Sequence, residues 1–189
     1  MPQKLEKVFP DDDALVALIQ DQETRDTGFR FLVEKYQEPL YWHIRKIVTF
    51  HEDADDIIQN TFIKVFKGIK SFKGQSKLYT WLYRIATNES LTHLKDRKRK
   101  NAIEETGDND LSQKLEADQY FDGEQVEQMM AMAIQSLPDK QKAVFNMRYY
   151  DEMSYQDMSQ VLETSVGALK ASYHHAVKKI ESFIKRKVE

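Results

Sequence analysis

Met153-Ser-Tyr-Gln-Asp-Met-Ser-Gln-Val-Leu-Glu-Thr-Ser-Val-Gly-Ala-Leu-Lys170 is the stretch on which the fold turns. Ser154 and Asp157 read as a capping box, in which a hydroxyl and an acid three residues on take free backbone N–H groups at a helix start. Met158, Val161 and Leu162 then share one face of a short helix. After a brief turn, Leu169, Tyr173, Ala176, Val177, Ile180 and Phe183 continue at helical spacing. The layout is helix-turn-helix. Its second helix opens on small residues, Ser165 to Ala168, which let a helix end enter a groove, and its outer surface carries Lys170, His174, His175 and Lys178. Apolar spacing alone suits a plain helical hairpin equally well, so at this point duplex binding and simple packing stand side by side.

Working back from that stretch, Ala143, Val144 and Met147 begin one helix, and Val126, Met129, Met130, Ala133, Ile134 and Leu137 stripe another that Pro138 ends. The methionines read as core filler. In the first half, Phe29, Leu32, Val33 and Tyr36 form a stripe, and Pro39 suits the first turn of a second helix continued by Leu40, Ile44, Ile47 and Val48. A third helix begins with Asp53, Asp55 and Asp56 and ends with Lys64, Lys67 and Lys70, an order that complements the helix dipole. Its core stripe is Ile57, Ile58, Thr61, Phe62, Val65, Phe66 and Ile69. After the loop Ser71-Phe-Lys-Gly-Gln-Ser76, a long helix runs to about Lys100 with Leu78, Trp81, Leu82, Ile85 and Leu94 on its buried side.

With 6 glycines, 4 prolines and no convincing strand in 189 residues, the fold class is all-α. Two small helical domains are expected, residues 1–100 and 124–189, joined by an acidic, flexible linker over 101–123. Asp108 and Asp110 hint at a calcium loop, but Gln113 stands where such a loop needs glycine.

Cysteine is absent, which excludes a disulfide framework, a thiolate metal site and a cysteine nucleophile, and fits a reducing compartment. No apolar run approaches the length of a membrane span, so a cytoplasmic chain without membrane insertion is expected. The net charge of -3 is unevenly spread: -6 over residues 1–60, +9 over 61–100, -9 over 101–139, -1 over 140–164 and +4 over 165–189. Two basic blocks flanking an acidic one matter because a basic block attracts phosphates by releasing counterions, whatever the whole-chain charge.

Catalysis has little support. There is no phosphate-binding glycine loop, no nucleophile elbow, and none of the five histidines pairs with another at the i,i+4 spacing of a helical zinc site. The acids Glu52, Asp53, Asp55 and Asp56 are better explained as a helix start facing solvent or a partner than as a metal or acid/base site. Neither a metal nor another cofactor is implied. Between Lys64 and Lys100, by contrast, Phe72, Tyr79, Trp81 and Tyr83 are interleaved with Lys73, Lys77, Arg84 and the run Lys95, Arg97, Lys98, Arg99 and Lys100. Cations that track a backbone, beside aromatic faces and an amide such as Asn88, are what single-stranded DNA recognition requires.

Three segments of the first half, Asp53-Ala-Asp-Asp-Ile-Ile-Gln-Asn-Thr-Phe62, Phe72-Lys-Gly-Gln-Ser76 and Tyr79-Thr-Trp-Leu-Tyr-Arg-Ile-Ala-Thr-Asn88, together resemble region 2 of the extracytoplasmic function (ECF) sigma factors. Leu137-Pro-Asp-Lys-Gln, Met153-Ser-Tyr-Gln-Asp-Met158, Ser165-Val-Gly-Ala-Leu-Lys170 and Ala176-Val-Lys-Lys-Ile180 resemble their region 4. The resemblance implies a non-enzymatic factor that binds core RNA polymerase and directs it to promoter DNA, both duplex and melted non-template strand, with an anti-sigma factor as a further partner. It assigns Asp53, Asp56, Ile57, Gln59, Asn60 and Phe62 to polymerase docking. Lys64, Phe72, Lys73, Trp81, Arg84 and Asn88 go to melting and capture of the minus-ten element. Lys170, Ala171, Ser172, His174 and His175 go to the minus-thirty-five element, with Arg148 and Tyr155 as phosphate contacts. Glu163 departs from the family, whose turn usually has glycine there, and Ser172 and Val177 replace frequent arginines.

Two rival functions are weaker. An ordinary helix-turn-helix regulator leaves the 53–62 and 72–88 motifs unexplained. A sigma mimic that only sequesters an anti-sigma protein should have lost the aromatic and basic surface, and usually carries a receiver domain.

Overall fold

The computed structural model describes residues 8–103 and 125–188, and among them the chain forms eight α-helices and one 3-10 turn without a strand. Helix α1 (Asp12–Gln20) starts where Asp11 accepts a hydrogen bond from the Ala14 N–H at 2.8 Å, and it buries Leu15 and Ile19. Sequence reasoning did not anticipate this helix, in which only two residues are fully buried. It lies so close to α2 (Arg25–Val48) that a Cβ on Gly28 would stand 2.8 Å from Leu18 Cβ and 2.9 Å from Ile19 Cγ1.

Pro39 does not begin a second helix as its sequence context suggests, because α2 runs through it. An interior proline forfeits one hydrogen bond and costs about 3 kcal/mol in an isolated helix. Here Leu32, Tyr36, Leu40 and Ile44, spaced four apart on both sides of it, are all buried in one core, and that burial offsets the cost. Helix α3 (His51–Gly68) and α4 (Leu78–Ile103) complete this bundle, joined through the 3-10 turn Ile69–Ser71.

The second bundle comprises α5 (Gln125–Gln135), α6 (Asp139–Tyr149), α7 (Tyr155–Leu162) and α8 (Val166–Val188). The expected cap is present: Ser154 Oγ accepts from the Asp157 N–H at 3.1 Å and donates to Asp157 Oδ2 at 2.6 Å. Glu163 ends α7 in the left-handed region at φ 50°, a conformation that favours glycine. Of the expected linker over 101–123, residues 101–103 belong to α4; the rest, with Asp108 and Asp110, lies outside the described residues.

The bundles pack on each other. Ala143 of α6 joins the first core, while Tyr79 and Tyr83 of α4 pack on Val144, Met147 and Met158 of the second. Polar contacts cross the same seam: Asn146 Nδ2 donates to the Lys46 carbonyl at 2.9 Å, and Thr49 Oγ1 donates to Gln135 Oε1 at 2.5 Å.

Candidate nucleic-acid and polymerase interface

The residues assigned to polymerase docking separate into two sets on α3. Asp56, Gln59 and Asn60 are exposed along one face, which Ile63, 51% exposed, continues. Ile57 is buried, and Phe62 is half-buried edge-on to Phe29 at 6.4 Å, so both support that face from behind. Asp53 turns toward α4, where Arg97 Nη1 and His93 Nε2 each lie 3.1 Å from its carboxylate.

Four of the six residues assigned to the minus-ten element, Phe72, Lys73, Trp81 and Arg84, line one cleft of about 450 Å³. Ser159, Gln160 and Glu163 of the second bundle close its far side, while the near wall follows from local sequence. Gly68 lets the Trp81 ring lie across the end of α3, since a Cβ there would stand 3.3 Å from the indole. Gly74, at φ 67°, turns the loop. Gln20 Nε2 ties the loop to α1 by donating to the Phe72 carbonyl at 2.9 Å. The Phe72 ring is half-buried, 5.3 Å from that of Trp81, so a pair of aromatic faces stands beside two cations. Lys64 and Asn88 lie apart from this cleft: Lys64 pairs with Glu89, and Asn88 is exposed beside that pair on α4.

In the second bundle, the Arg148 guanidinium and the Lys170 ammonium stand 5.3 Å and 5.7 Å from the Tyr155 ring centroid, a two-cation site on one aromatic ring. Arg148 is held by donating to the Met153 carbonyl at 3.1 Å. Along α8, Lys170, Ala171, His174 and His175 are exposed while Ser172 is half-buried, so a helix face of cations and imidazoles points outward.

Residues 32–100 match the family of sigma-70 region 2, and residues 127–180 match that of sigma-70 region 4. The chain is 29% identical to the RNA polymerase sigma-H factor of Pseudomonas aeruginosa over 90% of its own length and 92% of that protein. It is also 29% identical to the ECF RNA polymerase sigma-E factor of Haemophilus influenzae, over 92% and 95%. The chain belongs to the ECF family of sigma factors. Its fold is that of the sigma factor RpoE solved with the anti-sigma factor NepR from Bartonella quintana, with a TM-score of 0.64, 20% identity, and coverage of 83% of this chain and 96% of that one. Sigma factors are non-enzymatic initiation factors. Among the described residues, no helix is long and apolar enough to cross a membrane.

What sequence reasoning missed in this sigma factor is the polarity of the seam. Lys98 Nζ lies 2.7 Å from Asp139, Lys77 Nζ 3.5 Å from Asp157, and Arg84 Nη1 3.9 Å from Glu163. His43, fully buried, places Nδ1 2.6 Å from Asp151 Oδ2 and Nε2 2.9 Å from Thr87 Oγ1. Each of the four ion pairs, His43–Asp151 included, has its basic member in the first half of the chain and its acid on the second bundle. Burial raises the Asp157 pKa, but hydrogen bonds from Ser154 and Tyr79 and the charge of Lys77 more than reverse this, leaving it below the usual range. Tyr79 is in turn pushed up to about 12, by burial first and then by its bond to Asp157. No spacing rule links residues 41 to 108 positions apart. The excess of basic residues over 61–100 is the one signal that could have suggested acidic partners.

Proposed function

We propose that this ECF sigma factor divides promoter-specific initiation among the three surfaces described. The exposed face of α3, Asp56, Gln59 and Asn60, docks on core RNA polymerase. The cleft of Phe72, Lys73, Trp81 and Arg84 traps unstacked bases of the minus-ten element, while Lys64 and Asn88 extend that surface along α3 and α4. The outward face of α8, with Arg148 and Tyr155, reads the minus-thirty-five duplex. An anti-sigma factor, such as the one bound by the Bartonella quintana relative, is a further partner in this reading. No catalytic group is needed, because stabilising an unstacked strand by stacking and phosphate contacts shifts the duplex toward the melted state.

The observation that carries the proposal is the first bundle's wall of that cleft: two aromatic rings 5.3 Å apart beside two cations. Permanganate footprinting of holoenzyme on a duplex promoter, beside transcription from a template already mismatched across the minus-ten region, tests it. Phe72→Ala removes a stacking contact of roughly 1–3 kcal/mol. Melting should fail on the duplex and activity should recover in part on the pre-opened template. Equal loss on both, or loss on neither, would remove the melting role.

A further inference from the structure

The loop that carries Phe72 has little to hold it from within. Phe72 follows a 3-10 turn of only three residues, and a Cβ at Gly74, where the loop turns at φ 67°, would meet nothing within 4 Å. A ring that forms one wall of a base trap must nevertheless stand at a set distance from its partner. A trap assembled only after the base arrives loses the cost of that ordering from its affinity. Support for the loop comes from outside it, at the turn between α1 and α2.

Gln20 is the last residue of α1 and Arg25 the first of α2. Gln20 Nε2 carries two hydrogens, and it donates to the Phe72 carbonyl at 2.9 Å and to the Ile69 carbonyl at 3.4 Å. Arg25 Nη2 donates to the Phe66 carbonyl at 2.9 Å, with its guanidinium 4.1 Å from the centre of the Phe66 ring. These carbonyls recur every three residues, from the last turn of α3 through the 3-10 turn to Phe72. A helix end leaves such groups without partners of its own, and here two side chains of one turn take them up. The turn itself is stiff. Asp21 Oδ1 accepts from the Glu23 and Thr24 N–H groups at 2.8 and 3.2 Å, and Thr24 Oγ1 donates to the Leu18 carbonyl at 2.8 Å. At the other end of α1, Asp12 accepts from the Tyr36 hydroxyl at 2.6 Å and from Lys35 Nζ at 2.8 Å, so the helix is fixed at both ends.

We propose that Gln20 is a positioning residue for promoter opening: through its bond to the Phe72 carbonyl it holds the Phe72 ring against Trp81, and with Arg25 it makes α1 the frame on which the base trap is set. The inference rests on the reading of that cleft as the base trap. Gln20 is exposed, so the effect of losing its amide falls on the loop and not on the core. The same role accounts for a helix that places only Leu15 and Ile19 fully in the core, since its last side chain is where it acts on the site.

The test uses holoenzyme carrying Gln20→Met, which keeps the length of the side chain and removes the donor without changing charge. Gln20→Ala serves as a second variant, and circular dichroism of the free chain checks the fold of both. Timed permanganate footprinting reads the rate of opening on a negatively supercoiled promoter, where slowed variants remain measurable. Transcription from the template mismatched across the minus-ten region reads activity that needs no melting. Opening should slow about fivefold, the scale of one hydrogen bond's net contribution, and the pre-opened template should restore most of the activity. The double variant Q20M/F72A closes a cycle: if Gln20 acts through the Phe72 ring, its loss adds nothing once the ring is gone. Losses that multiply in the double variant, or equal losses on both templates, would show a general effect on the fold and overturn the positioning role. Opening of Gln20→Met at the wild-type rate would overturn it as well. The two readings fail separately. If Phe72→Ala opens promoters normally, the base trap falls and the positioning role with it; if Phe72→Ala fails to open them while Gln20→Met is unimpaired, only the positioning role falls.

Discussion

Lys142 gives the sharpest quantitative prediction. Its side chain is 5% exposed, with Nζ donating to Gln135 Oε1 at 2.7 Å, and burial lowers its pKa from 10.5 to about 8, partly opposed by Asp139 and reinforced by Lys98. Between those two values the unfolded chain carries the proton and the folded chain does not. Folding then releases a proton, so stability rises with pH across that window. Below pH 8 both states are charged and the folded one bears the cost of the buried ammonium. At 1.36 kcal/mol per unit, the ceiling over the whole window is about 3 kcal/mol, and the part recovered between pH 7.5 and 9.5 is about 2 kcal/mol. Lys142→Met keeps the apolar stem and removes the charge. Urea unfolding of both proteins across that range should show the wild type gaining about 2 kcal/mol on the variant. Above pH 10 the phenols of Tyr79, Tyr83 and Tyr150, all raised by burial, act in the opposite sense, and comparison with the variant cancels them. Parallel stability curves would refute the reasoning and mean that the ammonium is charged and solvated in the fold.

Two further outcomes are expected. Gly28→Ala should destabilise by about 1–2 kcal/mol in urea titration, because pushing α1 away from contacts of 2.8 and 2.9 Å outweighs the roughly 1 kcal/mol gained in helix propensity. Arg148→Ala in holoenzyme should weaken binding to all promoter sequences alike and reduce the slope of log affinity against log salt by about 1, whereas a change in sequence preference would mark Arg148 as a base reader.

The legible parts of this fold are those whose cause is local. The cap at Ser154 and the stripes of α3, α4 and α8 depend on residues three or four apart, and the side chains that meet are those the spacing brings together. Pro39 shows how local rules conflict. Proline chemistry predicts a helix start, while the four-residue spacing of Leu32, Tyr36, Leu40 and Ile44 predicts one uninterrupted stripe, and the second prevails because four buried side chains contribute more than one lost hydrogen bond. Helix α1 was missed for the converse reason: two buried residues are too few to reveal a period.

The candidate site follows the same division. Phe72, Trp81 and Arg84 share a cleft because a loop and one helical turn bring them together, and that much is visible in their spacing. Lys64 and Asn88 have the right chemistry for the same cleft and lie elsewhere, since composition does not say which way a helix face turns. The seam was beyond reach altogether. His43 and Asp151 are 108 positions apart, and each is ordinary in its own helix or turn. What joins them is a match of charge between two bundles. Part of the basic surface in a chain of net charge -3 is therefore paired within the molecule.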